Sequence, residues 1–227
     1  MIKYYSITDT SDSHLETLKG KLESVAADYF TSFALSEDKL TLTCYDGENP
    51  LITFNAYTIT SGVKIKSVII SGDNVTQTFD FSPYSNHIFG RIATTKNGCA
   101  LSIKNVSNNS NNMKYGIFFV KSKKGKTAIC IDSDALTVAN TSLYKSGWCI
   151  TSESARISKV TLYTTDTSQL PNALMYTTFQ NILCSGIEDY CPYLFVTPSS
   201  QCPGTEGIIN DNGKKYLYSG AYALLDE

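Results

Sequence analysis

The sequence predicts a mainly β fold: a hairpin-rich antiparallel sandwich, or two small β-domains, with an N-terminal amphipathic helix and room for a second short one. Three observations lead there. Segments with apolar residues at alternate positions recur along the 227 residues, which is the period of a half-buried strand. Asn97-Gly98, Lys124-Gly125 and Asn212-Gly213 fall between such segments, and Asn-Gly is the strongest short-range hairpin signal. The composition agrees. Fifteen Tyr and ten Phe against one Trp, with only 18% charged residues, suit strands with polar but uncharged faces.

Taken in order, residues 1–8 read as a short strand. Ser11-Asp12-Ser13 offers N-caps for a helix. From His14 to Phe33 the apolar positions Leu15, Leu18, Leu22, Val25, Ala26, Tyr29, Phe30 and Phe33 recur at intervals of three and four. They define one helical face, expected to pack on the core, with an oligomer contact as the alternative. His14, in the first turn, is expected to be exposed. Residues 39–45 alternate with Leu40, Leu42 and Cys44 on one side, and residues 46–50 form a turn. Residues 51–60 place Ile52, Phe54 and Ala56 together, and Ser61-Gly62 ends that run. Residues 63–70 carry Val63, Ile65, Val68 and Ile70. After a turn at 71–74, residues 75–81 carry Val75, Phe79 and Phe81, with Gln77 interrupting that face. Four consecutive strands joined by such loops read as a meander.

Residues 87–95 and 99–106 flank the Lys96-Asn97-Gly98 turn. The Asn-rich stretch 107–112 is the expected boundary between residues 1–110, a helix-plus-meander half, and residues 111–227, a second β half. One continuous domain is the alternative. Residues 116–121 and 127–132 form a hairpin around Lys123-Lys124-Gly125, and 135–139, 146–151 and 157–164 read as further strands. Trp148 is expected to anchor the core. Leu170, Leu174, Tyr176, Phe179 and Ile182 give residues 171–183 the pattern of a short helix or an irregular segment. A loop and strand at 184–198 lead to the close of the chain. There Asn212-Gly213 and the apolar run 221–225 predict a last strand pair docked into the core.

The formal net charge of −2 supplies no global basic field, so no nucleic-acid partner is expected. Lys121-Ser122-Lys123-Lys124-Gly125-Lys126 reads as a solvated hairpin tip. Gly125-Lys126-Thr127 resembles the end of a phosphate-binding loop. That loop would need a glycine where Val120 stands, and a helix after it, so the reading is rejected. The first residues lack the apolar run of a signal peptide, and no stretch approaches the roughly 18 apolar residues of a membrane span. A soluble chain made in a cytoplasm, with no membrane partner, is the expectation. Cys44, Cys99, Cys130 and Cys149 lie in strand-like segments, where buried thiols act as small hydrophobes.

Little in the chain points to a reaction. Cys184, Cys191 and Cys202 are separated by six and ten residues, whereas structural zinc sites use close pairs such as Cys-x₂-Cys. Separate thiols or one disulfide are the readings set against a metal. The two histidines, His14 and His87, show no sequence relation to a nucleophile. Glu188-Asp189 and Asp132-Ser133-Asp134 lie in turn-like stretches, where short acids bond the local backbone. A glycosidase needs two carboxylates facing each other at roughly 5–9 Å, and no such pair can be read. No catalytic, cofactor-binding or metal-binding residue is therefore assigned, no cofactor is expected, and the protein is not expected to be an enzyme. The tyrosines would serve a carbohydrate-binding surface as well as strand packing.

Gly116-Ile117-Phe118-Phe119-Val120-Lys121-Ser122-Lys123-Lys124-Gly125-Lys126-Thr127-Ala128-Ile129-Cys130 resembles a hairpin of virion-associated proteins from prophages of gut Firmicutes. The ending, from Gly213-Lys214-Lys215-Tyr216-Leu217-Tyr218-Ser219 through Gly220-Ala221-Tyr222-Ala223-Leu224-Leu225-Asp226-Glu227, is similar to the endings of such proteins. They are commonly encoded among tail and host-attachment genes. The resemblance covers these two segments. It implies a structural or attachment role in a virion, and it brings no catalytic residues with it. The expected partners are other virion proteins, further copies of the chain, since virion parts are usually symmetric oligomers, and a host-surface glycan.

Overall fold

The computed structural model describes residues 1–7, 11, 13–72, 75–81, 86–106, 113–132, 144–151, 158–163, 191–196, 206–211, 213–219 and 222–227. It is mainly β, with three antiparallel sheets and one helix among these residues. The predicted four-stranded meander is β3 (Thr41–Asp46), β4 (Asn49–Ile59), β5 (Gly62–Gly72) and β6 (Val75–Asp80), and an unpredicted edge strand, β2 (Ser32–Leu35), makes it a five-stranded sheet in chain order. A seven-stranded sheet begins with β1 (Lys3–Ser6) at one edge. It continues through β7 (His87–Thr94), β8 (Gly98–Asn105), β9 (Met113–Lys121), β10 (Thr127–Asp132), β11 (Tyr144–Thr151) and β12 (Ser158–Tyr163). The third sheet has the order β13 (Leu194–Val196), β16 (Tyr222–Leu225), β15 (Lys214–Ser219), β14 (Gly207–Asp211). Because β8 pairs directly with β9, the seven-stranded sheet draws strands from both sides of residues 107–112.

Along β8, β9 and the described part of β10 the central sheet is buried on both faces. Along β8, β9 and β10 the residues Cys99, Leu101, Ile103, Ile117, Phe119, Ile129 and Ile131 join one core cluster with Leu42, Ile52, Phe54 and Ile65 of the five-stranded sheet. Phe54 meets Phe89 edge-on at 5.1 Å across that interface. The alternate residues Ala100, Phe118, Val120, Ala128 and Cys130 join a second cluster with Leu194, Leu217, Tyr222 and Leu224 of the four-stranded sheet and with Cys191 just before it. Phe118 meets Tyr222 edge-on at 5.8 Å. Strands buried on both faces read as near-continuous apolar runs, and Ile117-Phe118-Phe119-Val120 is such a run. The expected buried thiols Cys44, Cys99 and Cys130 are in place, and burial pushes the Cys44 and Cys99 thiols well above their ordinary pKa.

Several expectations are corrected in detail. The helix α1 spans His14–Val25, not residues up to Phe33. The Ala26 N–H donates to the Leu22 carbonyl, the Tyr29 N–H donates back to the Ala26 carbonyl, and Phe33, in β2, pairs with Cys44 of β3. Phe30 and Phe33 keep the helical spacing because the core needs them, although a turn and a strand deliver them. His14 is fully buried, not exposed. Its ring stacks on Phe89 at 5.7 Å, and its Nε2 accepts the Phe89 N–H at 3.2 Å. An accepting nitrogen carries no proton, so His14 is neutral at Nε2 and serves as a core acceptor. In β5 the apolar set changes parity between Ile65 and Val68. A bulge opposite Asn55/Ala56 inserts one residue there and returns Val68 and Ile70 to the core face.

The hairpins stand where predicted, with different turn chemistry in one of them. Gly125 and Gly213 have φ of 80° and 78°, the left-handed region that favours glycine. Gly98 instead lies in β8, and the tight turn is closed by the Thr95 N–H donating to the Gly98 carbonyl. Its glycine is required for space. A Cβ would lie 2.8 Å from the Phe119 carbonyl oxygen and 2.8 Å from Val120 Cγ1, and 3.1 Å from Leu224 of the third sheet. Gly98→Ala is therefore expected to cost about 1–3 kcal/mol in denaturant unfolding, as overpacking does. The run 135–139, the 171–183 segment and the side chains of Trp148 and Cys149 lie outside the described residues.

Candidate functional site

The β7–β8 turn, the β9–β10 turn and the start of β1 lie at one rim of the central sheet, because Thr94 pairs with both Lys3 and Cys99, and Lys121 pairs with Thr127. A cleft of about 450 Å³ opens at this rim, at the junction with the five-stranded sheet. The chain just after α1 supplies Asp28 and Tyr29, β2 supplies Phe33, the end of β3 supplies Asp46 and the end of β9 supplies Lys121. Its size suits a small ligand or one or two sugar rings.

The sequence builds this cleft from a pinned turn. The Thr31 N–H donates to the Tyr45 carbonyl at 2.8 Å, and the Gly47 N–H donates to Thr31 Oγ1 at 2.7 Å. Across the sheet junction, Thr127 Oγ1 donates to the Tyr29 carbonyl at 2.8 Å. Lys121 Nζ donates to that same Thr127 hydroxyl at 2.9 Å and lies 5.6 Å from the centre of the Tyr29 ring. Burial lowers the pKa of the Lys121 ammonium, and the carboxylates of Asp46 and Asp28 act against that. Burial likewise pushes the Tyr29 phenol far up, so its hydroxyl remains a donor at any ordinary pH. Glu23 at the mouth is already neutralised by Lys19, at 2.5 Å on the same helix. The cleft therefore presents aromatic surface from Tyr29 and Phe33, two carboxylate acceptors and one held ammonium. Such a set can stack on the apolar face of a sugar and bond its hydroxyls.

A second polar cluster is structural. Glu206, just before β14, has a wholly buried side chain. One carboxylate oxygen accepts from Arg91 Nε at 3.1 Å, and the other accepts a short bond from the buried Ser102 hydroxyl. The Arg91 guanidinium lies 4.4 Å over the Tyr4 ring. Burial, and then the Glu206 charge, raise the Tyr4 pKa. The cluster ties the third sheet to the back of the central sheet. Glu206→Ala would leave Ser102 unsatisfied and Arg91 without its acid. It is expected to cost about 2–3 kcal/mol, below most of the range for a broken, fully buried pair because Arg91 keeps some contact with water. Glu206→Gln, which can still accept from Ser102, should cost about half as much by chemical denaturation.

Of the residues weighed from sequence, Cys191 is buried in the core between the central and third sheets, while Cys184 and Cys202 lie outside the described residues. His87 is buried in β7, apart from His14 in α1. Asp132 ends β10, and 133–134 and 188–189 lie outside the described residues. The Lys121–Lys126 tip is a turn followed by a strand. Neither Asp28 nor Asp46 stood out in the sequence, because Asp28 falls within the stretch read as helix and Asp46 in an ordinary turn, and the fold brings them to one cleft. No family model, curated protein or solved structure matches the chain.

Proposed function

We propose that this protein is an attachment component of a phage virion, acting through contacts and not through a reaction. The observation that carries the reading is the rim cleft. Aromatic, acidic and cationic side chains converge there on a scaffold of packed sheets, which holds a binding geometry without needing to move. The resemblance of the β9–β10 hairpin and of the closing strands to prophage virion-associated proteins supports the virion setting. A glycan on the host surface is the ligand that the cleft's donors, acceptors and rings suit. Other virion proteins, and further copies of this chain, are its proposed assembly partners.

Two measurements test this. Mass spectrometry of purified virions from an induced lysogen should detect the chain in stable stoichiometry, and light scattering should find it as an oligomer. A monomer at high concentration, absent from virions, would contradict the virion reading. The cleft independently favours a second reading, a carbohydrate-binding module outside any virion. Binding to host-wall glycans that is lost in Tyr29→Ala, from a chain that virions lack, would select it.

A further inference from the structure

A second cleft, of about 470 Å³, is lined by the last turn of α1, the β1–β7 pair and the β7–β8 turn. It shares no lining residue with the Tyr29–Phe33 cleft, and Asp28 and Asp46 line only the latter. Lys3 and Thr94 stand directly opposite each other in the β1–β7 register, so their side chains share a face of the sheet. Tyr5, two residues on, shares that face and packs against the core that Leu15, Leu18 and Leu22 of α1 help to build. Ser24 and Val25 end the helix beside them, and Lys96 comes from the β7–β8 turn. That turn has a fixed backbone. The Thr95 N–H donates to the Gly98 carbonyl at 2.9 Å, Thr95 Oγ1 accepts the Asn97 N–H at 3.0 Å, and Asn97 Nδ2 donates to the Leu225 carbonyl at 2.9 Å.

The cleft is rich in donors and poor in negative charge. None of the described residues lining it is acidic. Lys3 and Lys96 form no ion pair with a described residue, and the hydroxyls of Tyr5, Ser24 and Thr94 have no hydrogen-bond partner among the described residues. Met1 reaches the cleft with an ammonium that Asp226 already neutralises at 2.9 Å. Glu23, next to Ser24, is paired with Lys19 and lines the other cleft. The end of α1 adds a partial negative charge of about one half. Two full positive charges outweigh it.

We propose that this second cleft binds a small acidic sugar, a saccharide unit that carries a carboxylate or a phosphate monoester. The two lysines take the oxyanion. The hydroxyls of Tyr5, Ser24 and Thr94 both donate and accept, and they take the sugar hydroxyls. Val25 and the Tyr5 ring give the C–H face of the sugar an apolar wall. The volume suits one or two rings. This site goes beyond the reading of the Tyr29–Phe33 cleft, and neither depends on the other.

The test is calorimetric titration of the full chain with glucuronate, glucose 6-phosphate, glucose and inorganic phosphate, at low and at physiological salt. The variants are Lys3→Gln, Lys96→Gln and the two together. Lys66→Gln, which removes the same charge from an exposed position on β5, is the control. Each is first checked for a wild-type melting transition, which the exposure of Lys3 and Lys96 leads us to expect. Both acidic sugars should bind more tightly than glucose or phosphate, and salt should weaken them. Each single change should weaken them about two- to fivefold, the size of one exposed ion pair, and the double variant about tenfold, with Lys66→Gln unchanged. Equal affinity for glucose would overturn the anionic class. Phosphate binding as tight as that of glucose 6-phosphate would show an anion site that reads no sugar. Acidic-sugar binding untouched by the lysine changes would place the site elsewhere. No binding of either acidic sugar would overturn the proposal and leave the Tyr29–Phe33 reading standing, since Tyr29→Ala against host-wall glycans tests that reading separately.

Discussion

Removing residues 203–227 is expected to abolish soluble folding. The deletion takes away β14, β15 and β16 and leaves β13 without its partner. It uncovers the back of the central sheet, where Ala100, Phe118, Val120, Ala128 and Cys130 pack against Leu217, Tyr222 and Leu224. Each large apolar side chain moved from core to water forfeits about 1.5–3 kcal/mol. Whole domains are stable by only about 5–15 kcal/mol, so the loss of several removes the margin. The deletion also removes the Glu206 acceptor of Arg91 and Ser102, and the Leu225 carbonyl that accepts from Asn97 Nδ2 at 2.9 Å. Expression of the shortened chain should give aggregate. A soluble product with a cooperative melting transition would show that the third sheet is dispensable.

Phe118→Ala and Phe119→Ala are each expected to destabilise by about 3–5 kcal/mol, the range for a large aromatic truncated in a core. The two are neighbours in β9, so their side chains point to opposite faces of the sheet. Phe119 meets Phe30 edge-on at 5.1 Å in the cluster with the five-stranded sheet, and Phe118 meets Tyr222 in the cluster with the third. In a sheet with one wet face, one of the two changes would be nearly neutral. Urea unfolding of both variants therefore measures whether the central sheet is covered twice. A near-zero effect for either would contradict the layered arrangement.

How far the sequence shows this structure depends on the range of the interactions involved. Strand positions and hairpins are local, and alternation with turn residues reveals them. That is why the meander, the β7–β8 and β9–β10 pairs and the closing strands stand where the pattern puts them. The end of α1 was hidden because Tyr29, Phe30 and Phe33 continue a helical spacing while serving the core from a turn and from β2. Gly98 resembles a turn residue by its neighbour Asn97, yet it answers to Leu224, Phe119 and Val120 across the packing. His14 looked like a solvated first-turn residue because its acceptor role depends on Phe89, 75 positions away. The candidate site was illegible for the same reason. Asp28, Asp46 and Lys121 come from three parts of the chain that only the fold brings to one cleft.

The structural and functional readings meet at that cleft. Packing on both faces of β8, β9 and β10 fixes their ends at the rim, where Lys121 forms part of the cleft wall. On the proposed attachment reading, that cleft would bind by fixed geometry.

Hydrogen-exchange mass spectrometry on the protein, free and then bound to isolated host cell walls, tests this most directly. Slowed exchange on binding should concentrate in residues 27–33, 46 and 121, around the cleft. Unchanged exchange at these positions, with protection at the opposite end of the central sheet or along the outer strands, would contradict the assignment of this rim as the contact surface.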